Sequence, residues 1–134
     1  MTKIFPILLA LISFDLIHTY NNSGLKCGFE DQRCDCGLNN MDKRFLLELR
    51  KLENKMEKSF FITSGTRCDS YNRRIQGGYN SQHLKGLAVD IRGKQWTNSD
   101  KKLFVRYAKE SSYFTKVLEY TDTKHIHLEH REGD

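Results

Sequence analysis

Five residues near the end of the chain, His125-Ile126-His127-Leu128-Glu129, most restrict what it can fold into. Polar and apolar side chains alternate there with a period of two. A half-buried strand satisfies that pattern, because successive strand side chains point to opposite faces. Ile126 and Leu128 then face a core, while His125, His127 and Glu129 share the other face. A second run, Leu87-Ala88-Val89-Asp90-Ile91, reads as a strand ended by Gly93. It carries an acid that is expensive to bury unless it is paired or bound to metal.

The rest of the pattern is mixed. Asn39 and Asn40 can cap a helix over about residues 41 to 58, in which Phe45, Leu49, Leu52 and Met56 form one apolar stripe. Phe60-Phe61-Ile62-Thr63 reads as a short buried strand broken by Ser64-Gly65. Residues 66 to 81 are polar, with Gly77-Gly78 as a turn. Thr97 and Asp100 form a capping box for a helix to about Ser111, with Leu103, Phe104, Tyr107 and Ala108 on its apolar face. Residues 117 to 120 make a further strand, joined to 125–129 by a turn over 121 to 124. The order helix, strand, polar loop, strand, helix, strand, strand predicts an α+β fold: a small antiparallel sheet with helices on one face.

A chain of 134 residues supports one domain. It has no apolar run of about 18 residues, so stable membrane insertion is not expected. Residues 4 to 17, IFPILLALISFDLI, follow Lys3 and precede a polar stretch at 18 to 23, the layout of a secretory signal. Asp15 interrupts the apolar run and no A-x-A site follows, so a buried helix or strand of the mature domain is the alternative. The signal reading gives a signal peptide at 1–20, a domain at 25–130 and a tail at 131–134. It places the protein outside the cell, in the periplasm or at the cell envelope.

Lys3 and Asp15 cancel, so the net charge of +5 belongs to the domain. It permits an acidic partner such as a cell wall. Nucleic acid is not expected as a partner, because Arg73-Arg74 beside Tyr71 and Tyr79 is too small a basic and aromatic stripe. A monomer is expected. Cys27, Cys34, Cys36 and Cys68 suit two disulfides with three possible pairings. A zinc knuckle competes, but C-x6-C-x-C lacks paired C-x-x-C units. A bridge from the cluster to Cys68 would tie the N-terminal segment to the loop after the first strand and stabilise the fold by roughly 2–4 kcal/mol.

Chemistry concentrates in Ser81-Gln82-His83-Leu84-Lys85-Gly86-Leu87-Ala88-Val89-Asp90 and in the His125 to Glu129 strand. His83 lies in a loop, and Gly86 lets the chain turn tightly before Asp90. His83, Asp90 and one strand histidine supply nitrogen, oxygen and nitrogen donors. That is the set a catalytic zinc takes, with a fourth position left for water. Each motif alone is weak, but one metal accounts for both the acid in the apolar strand and the histidines sharing a face.

At these residues the chain resembles the zinc D-Ala-D-Ala carboxypeptidase and L-alanyl-D-glutamate endopeptidase family, which shares the Hedgehog-like fold. The resemblance rests on S-x-H-x-x-G-x-A-x-D and the later H-x-H. It extends to Ser64-Gly65-Thr66-Arg67-Cys68, Tyr71-Asn72 and Cys34-Asp35-Cys36-Gly37, covering about residues 25 to 130. It implies a zinc peptidase acting on peptidoglycan stem or cross-bridge peptides, with His83, Asp90 and His127 as metal ligands. It further implies Arg67 as a substrate and oxyanion contact, His125 as a transition-state donor, and Ser81 as a residue that binds substrate or orients the His83 loop. Several members carry an acid three or six residues before the last zinc histidine, where this chain has Lys124 and Thr121. The general base is then Glu129 or Asp122, with Glu119 further away. The other implied function is a non-catalytic Hedgehog-like zinc module engaging a glycan or protein.

Overall fold

The computed structural model describes residues 40–121 and 123–133. The signal segment, Cys27, Cys34, Cys36, Asn39 and Asp122 lie outside the described residues, as does Asp134 of the tail. In chain order the elements are helix α1 (Lys43–Lys55), strand β1 (Phe60–Ser64), helix α2 (Asp69–Arg74), a 3-10 turn (Gln82–Lys85), β2 (Ala88–Gly93), α3 (Asn98–Glu110), β3 (Lys116–Glu119) and β4 (His125–Glu129). The strands form one antiparallel sheet in the order β1-β2-β4-β3. The predicted α+β class, a small antiparallel sheet with helices on one face, is the observed one.

Alternation builds the core. Phe60 and Ile62 of β1, Val89 and Ile91 of β2, and Ile126 and Leu128 of β4 turn to one face. They pack there against Phe45, Leu49 and Leu52 of α1 and Phe104, Val105 and Ala108 of α3. Phe45 meets Phe114 edge-on at 5.4 Å, and Phe60 meets Phe104 the same way at 5.4 Å. The opposite face of the sheet carries the polar side chains of β2 and β4. A bulge between Ile62 and Ser64 shifts β1 so that Ser64 stands opposite Asp90. Such a shift re-aims side chains at the end of a strand.

Three boundaries differ from the sequence reading. Helix α1 is capped by Asp42, whose carboxylate accepts from the Phe45 amide at 2.9 Å, and not by Asn39 or Asn40. An aspartate two residues nearer the stripe reaches the amide of the third helical residue directly. The same helix ends at Met56, which is extended, short of Lys58. The third difference is α2, which lies in the segment read as a polar loop. Cys68 caps it through Sγ, with Asp69 in its first turn and Arg73 and Arg74 in its last, charges that complement the helix dipole. Cys68 is not a free thiol. The capping box of α3 forms in full, Thr97 Oγ1 accepting from Asp100 N and the Asp100 carboxylate accepting from Thr97 N. Among the described residues no helix is long and apolar enough to cross a membrane.

Candidate metal centre

The polar face of the sheet meets the turn before β2, and three side chains converge there. His83 sits on the 3-10 turn, Asp90 on β2 and His127 on β4. Asp90 and His127 are direct cross-strand partners. Each of the three offers one donor atom, and these atoms lie within 4.8 Å of one another. The His83 and His127 rings are 5.2 Å apart.

The turn that aims His83 is tightly specified. Ser81 Oγ accepts from the His83 amide at 3.2 Å, and Gly86 closes the turn with φ 72°, in the left-handed region. A Cβ on Gly86 would stand 2.4 Å from the Asn40 carbonyl oxygen, and the Gly86 carbonyl itself accepts from Asp42 N at the start of α1. Behind the turn, the His83 carbonyl accepts from Arg67 N at 2.9 Å. The His83 ring is buried and its Nδ1 lies 2.8 Å from the Gly65 carbonyl oxygen. A carbonyl only accepts, so Nδ1 carries the proton and Nε2 presents a lone pair. That Nε2 is buried with no hydrogen-bond partner, 3.3 Å from Asp90 Oδ2.

Around Asp90 the charges balance closely. His127 Nδ1 lies 2.8 Å from Asp90 Oδ1, and Arg67 Nη2 donates to Oδ2 at 3.4 Å. Burial alone would raise the Asp90 pKa. The hydrogen bond to His127 and the closeness of both imidazoles outweigh it and hold the carboxyl far below its ordinary value. The same balance acts in reverse on His127. Burial disfavours its cation, but Asp90 and Glu129 on its two nitrogens raise its pKa. His127 Nε2 lies 3.0 Å from Glu129 Oε2.

These residues fit a metal ion. A nitrogen, oxygen and nitrogen set suits zinc, and the buried lone pair of His83 otherwise meets nothing but a carboxylate. Each histidine also has its second nitrogen engaged, by a carbonyl or a carboxylate, as metal-ligating imidazoles almost always do.

The other sequence candidates distribute around this point. Arg67 is mostly buried, its Nε donating to Ser64 Oγ at 3.3 Å and its Nη1 to Asn72 Oδ1 at 3.4 Å. His125 lies on the same strand face as His127 and lines a cavity with Thr63, Asp90, Tyr120, Thr121 and Thr123. A larger adjoining cleft is bordered by Ser81, His83, Asp90, His127 and Glu129, with Lys116 at its edge. Glu119 pairs with core-facing Ile126 and therefore projects to the helix side of the sheet, away from the three donors, where its carboxylate is 3.9 Å from Lys101 Nζ. Asp122 is outside the described residues, although its neighbours Thr121 and Thr123 border the smaller cavity.

Two supporting residues had no role in the sequence reading. Asn72 is buried and donates to the Gly78 carbonyl at 2.9 Å while holding Arg67. Gly77 passes so close that a Cβ there would meet Asn72 Oδ1 at 2.1 Å. The pair Tyr71-Asn72 and the turn Gly77-Gly78 were both visible in the sequence, but only folding makes them one unit. Gln82 is buried on the ligand turn, and its amide satisfies both neighbours when it donates to the His130 carbonyl at 3.1 Å and accepts from Arg131 at 3.2 Å.

An antiparallel sheet with one wet face, bearing His83, Asp90 and His127 at the edge of an open cleft, defines the class: a small α+β domain with a candidate metal centre. The peptidase M15 family model matches residues 18–129, and the chain belongs to that family. No curated protein matches the chain significantly.

Proposed function

We propose that this M15 peptidase is a zinc enzyme that hydrolyses peptidoglycan stem or cross-bridge peptides outside the cell or at its envelope. The observation that carries the reading is the buried, unpartnered Nε2 of His83, aimed at the Asp90 and His127 pair. A zinc ion held by His83, Asp90 and His127 would supply Lewis acidity and a water that ionises near neutrality. Arg67 places a fixed guanidinium beside Asp90, where it stabilises negative charge developing on the scissile carbonyl oxygen. His125, on the same face, supplies a second donor to that oxygen. Ser81 uses its oxygen to accept from the His83 amide, which leaves its hydroxyl proton to donate into the cleft. Asp122 is the acid proposed to take the proton of the attacking water and return it to the leaving amine, and Glu129 is the other candidate. Arg67, Lys116 and Arg131 border the cleft, a charge pattern that suits peptides bearing free carboxylates.

His83→Ala and Asp90→Ala are each expected to abolish both stoichiometric zinc and the cleavage of purified wall peptides, followed by mass spectrometry of the fragments. Cleavage that persists in the zinc-free proteins overturns the reading. Lys124 and Thr121, at the positions where relatives carry an acid, favour the second reading, a non-catalytic zinc module. Bound zinc with no turnover of any wall peptide would establish that module instead.

A further inference from the structure

Among the described residues Glu129 and Glu48 are the buried carboxylates, and the surroundings of Glu129 differ from those of a free acid. Its Oε2 lies 3.0 Å from His127 Nε2, while His127 Nδ1 faces Asp90. The two ring nitrogens diverge, so this oxygen stands on the side of the imidazole away from Asp90. Its other oxygen, Oε1, faces Arg131 Nη2 at 3.8 Å, and Arg131 is in turn within reach of the Gln82 amide at 3.2 Å. Gln82 precedes His83 directly. The carboxylate is therefore caught between the ring of one metal-donor residue and a guanidinium anchored to the turn that carries another.

We infer that Glu129 is a positioning residue that aims His127 at the metal, with Arg131 and Gln82 holding its carboxylate in place, and that it does not serve as the general base. The inference rests on the reading of His83, Asp90 and His127 as a zinc site. Physically, a carboxylate accepting from Nε2–H fixes the tautomer in which Nδ1 carries the lone pair, orients the ring and raises its basicity toward a metal. Glu129 can do this because it follows His127 by two residues on the same strand face.

The test compares Glu129→Gln with Glu129→Ala for zinc affinity, measured by chelator competition, and for the visible spectrum of the cobalt-substituted protein. The glutamine amide oxygen still accepts from Nε2–H but cannot act as a base. Glu129→Ala is expected to weaken zinc binding by roughly 10- to 100-fold and to shift the cobalt bands, and Glu129→Gln to recover most of both. If alanine prevents folding, Glu129→Asp takes its place: it keeps the charge but withdraws it by one methylene, and it should lose zinc affinity too. Unchanged zinc affinity in Glu129→Ala or Glu129→Asp, with glutamine as inactive on wall peptides as alanine, overturns the inference and makes Glu129 the base. Failure of the wild type to bind zinc would instead sink the metal reading, so the two failures are distinguishable.

Discussion

At the residue scale, the candidate site depends on side chains held by backbone atoms as much as on one another. His83 has its tautomer set by the Gly65 carbonyl and its ring direction set by Ser81 and Gly86. That makes Gly86 a sensitive position. A left-handed φ costs a non-glycine residue about 1–2 kcal/mol, and the Cβ of alanine would also press on the Asn40 carbonyl. Gly86→Ala is expected to lower the unfolding free energy from urea titration by at least that much, moving the midpoint to lower urea, and to weaken zinc binding, because the strain falls between His83 and Asp90. An unfolding midpoint equal to wild type would show that the turn relaxes freely. Much of this site was legible in the sequence: the three donor residues stand in two motifs, and the alternation of β4 already puts His127 and Glu129 on one face. Asn72, Gln82 and the Gly65 carbonyl were not legible as supports. Their roles come from contacts between distant segments, and a carbonyl has no sequence signature.

At the element scale, the strongest patterns translated best. Strand β4 follows its apolar alternation, β2 follows its apolar run, and α3 starts at the capping box that Thr97 and Asp100 spell out. Helix α2 was hidden because six residues hold too little apolar periodicity to register, and its cap is a cysteine, outside the usual set of capping residues. Removing the α3 cap with Thr97→Ala should cost about 1 kcal/mol in thermal or chemical unfolding. Asp100 gives the same helix end a pH dependence. Its pKa falls from 3.8 to about 2, chiefly through the hydrogen bond to Lys58 and then through those to Thr97. The folded state therefore prefers the ionised form. The stabilisation is complete above pH 3.8 and disappears as the pH falls through about 2. Comparison of wild type with Asp100→Asn should show a stability difference at neutral pH that vanishes across that acid window. A difference independent of pH would assign the effect to packing instead.

At the scale of the whole molecule, one core clamps α1 and α3 to one face of the sheet and leaves the other face polar. The hairpin of β3 and β4 is tied across to α3, where buried Lys101 donates to the Tyr120 and Thr123 carbonyls and Lys124 donates to Asn98. A ligand that binds only the folded state raises its stability by mass action, by about 2.7 kcal/mol at a free concentration 100 times its dissociation constant. Zinc added to metal-free protein is expected to raise the melting temperature, and a chelator to reverse the rise. His83→Ala should be insensitive to both additions. A wild-type melting curve that ignores zinc would argue against the site.

The direct pairing of Asp90 with His127 has one more consequence. A slip of β4 by a single residue would set Ile126 or Leu128 beside Asp90 and turn the imidazole into the oily side of the sheet. Only the correctly aligned strands bring the three donors together, so an ion bound at this candidate site would double as an error check on the central strand pairing. A chain that collapses out of step would go on exchanging partners until the two strands line up, and binding would trap that one alignment.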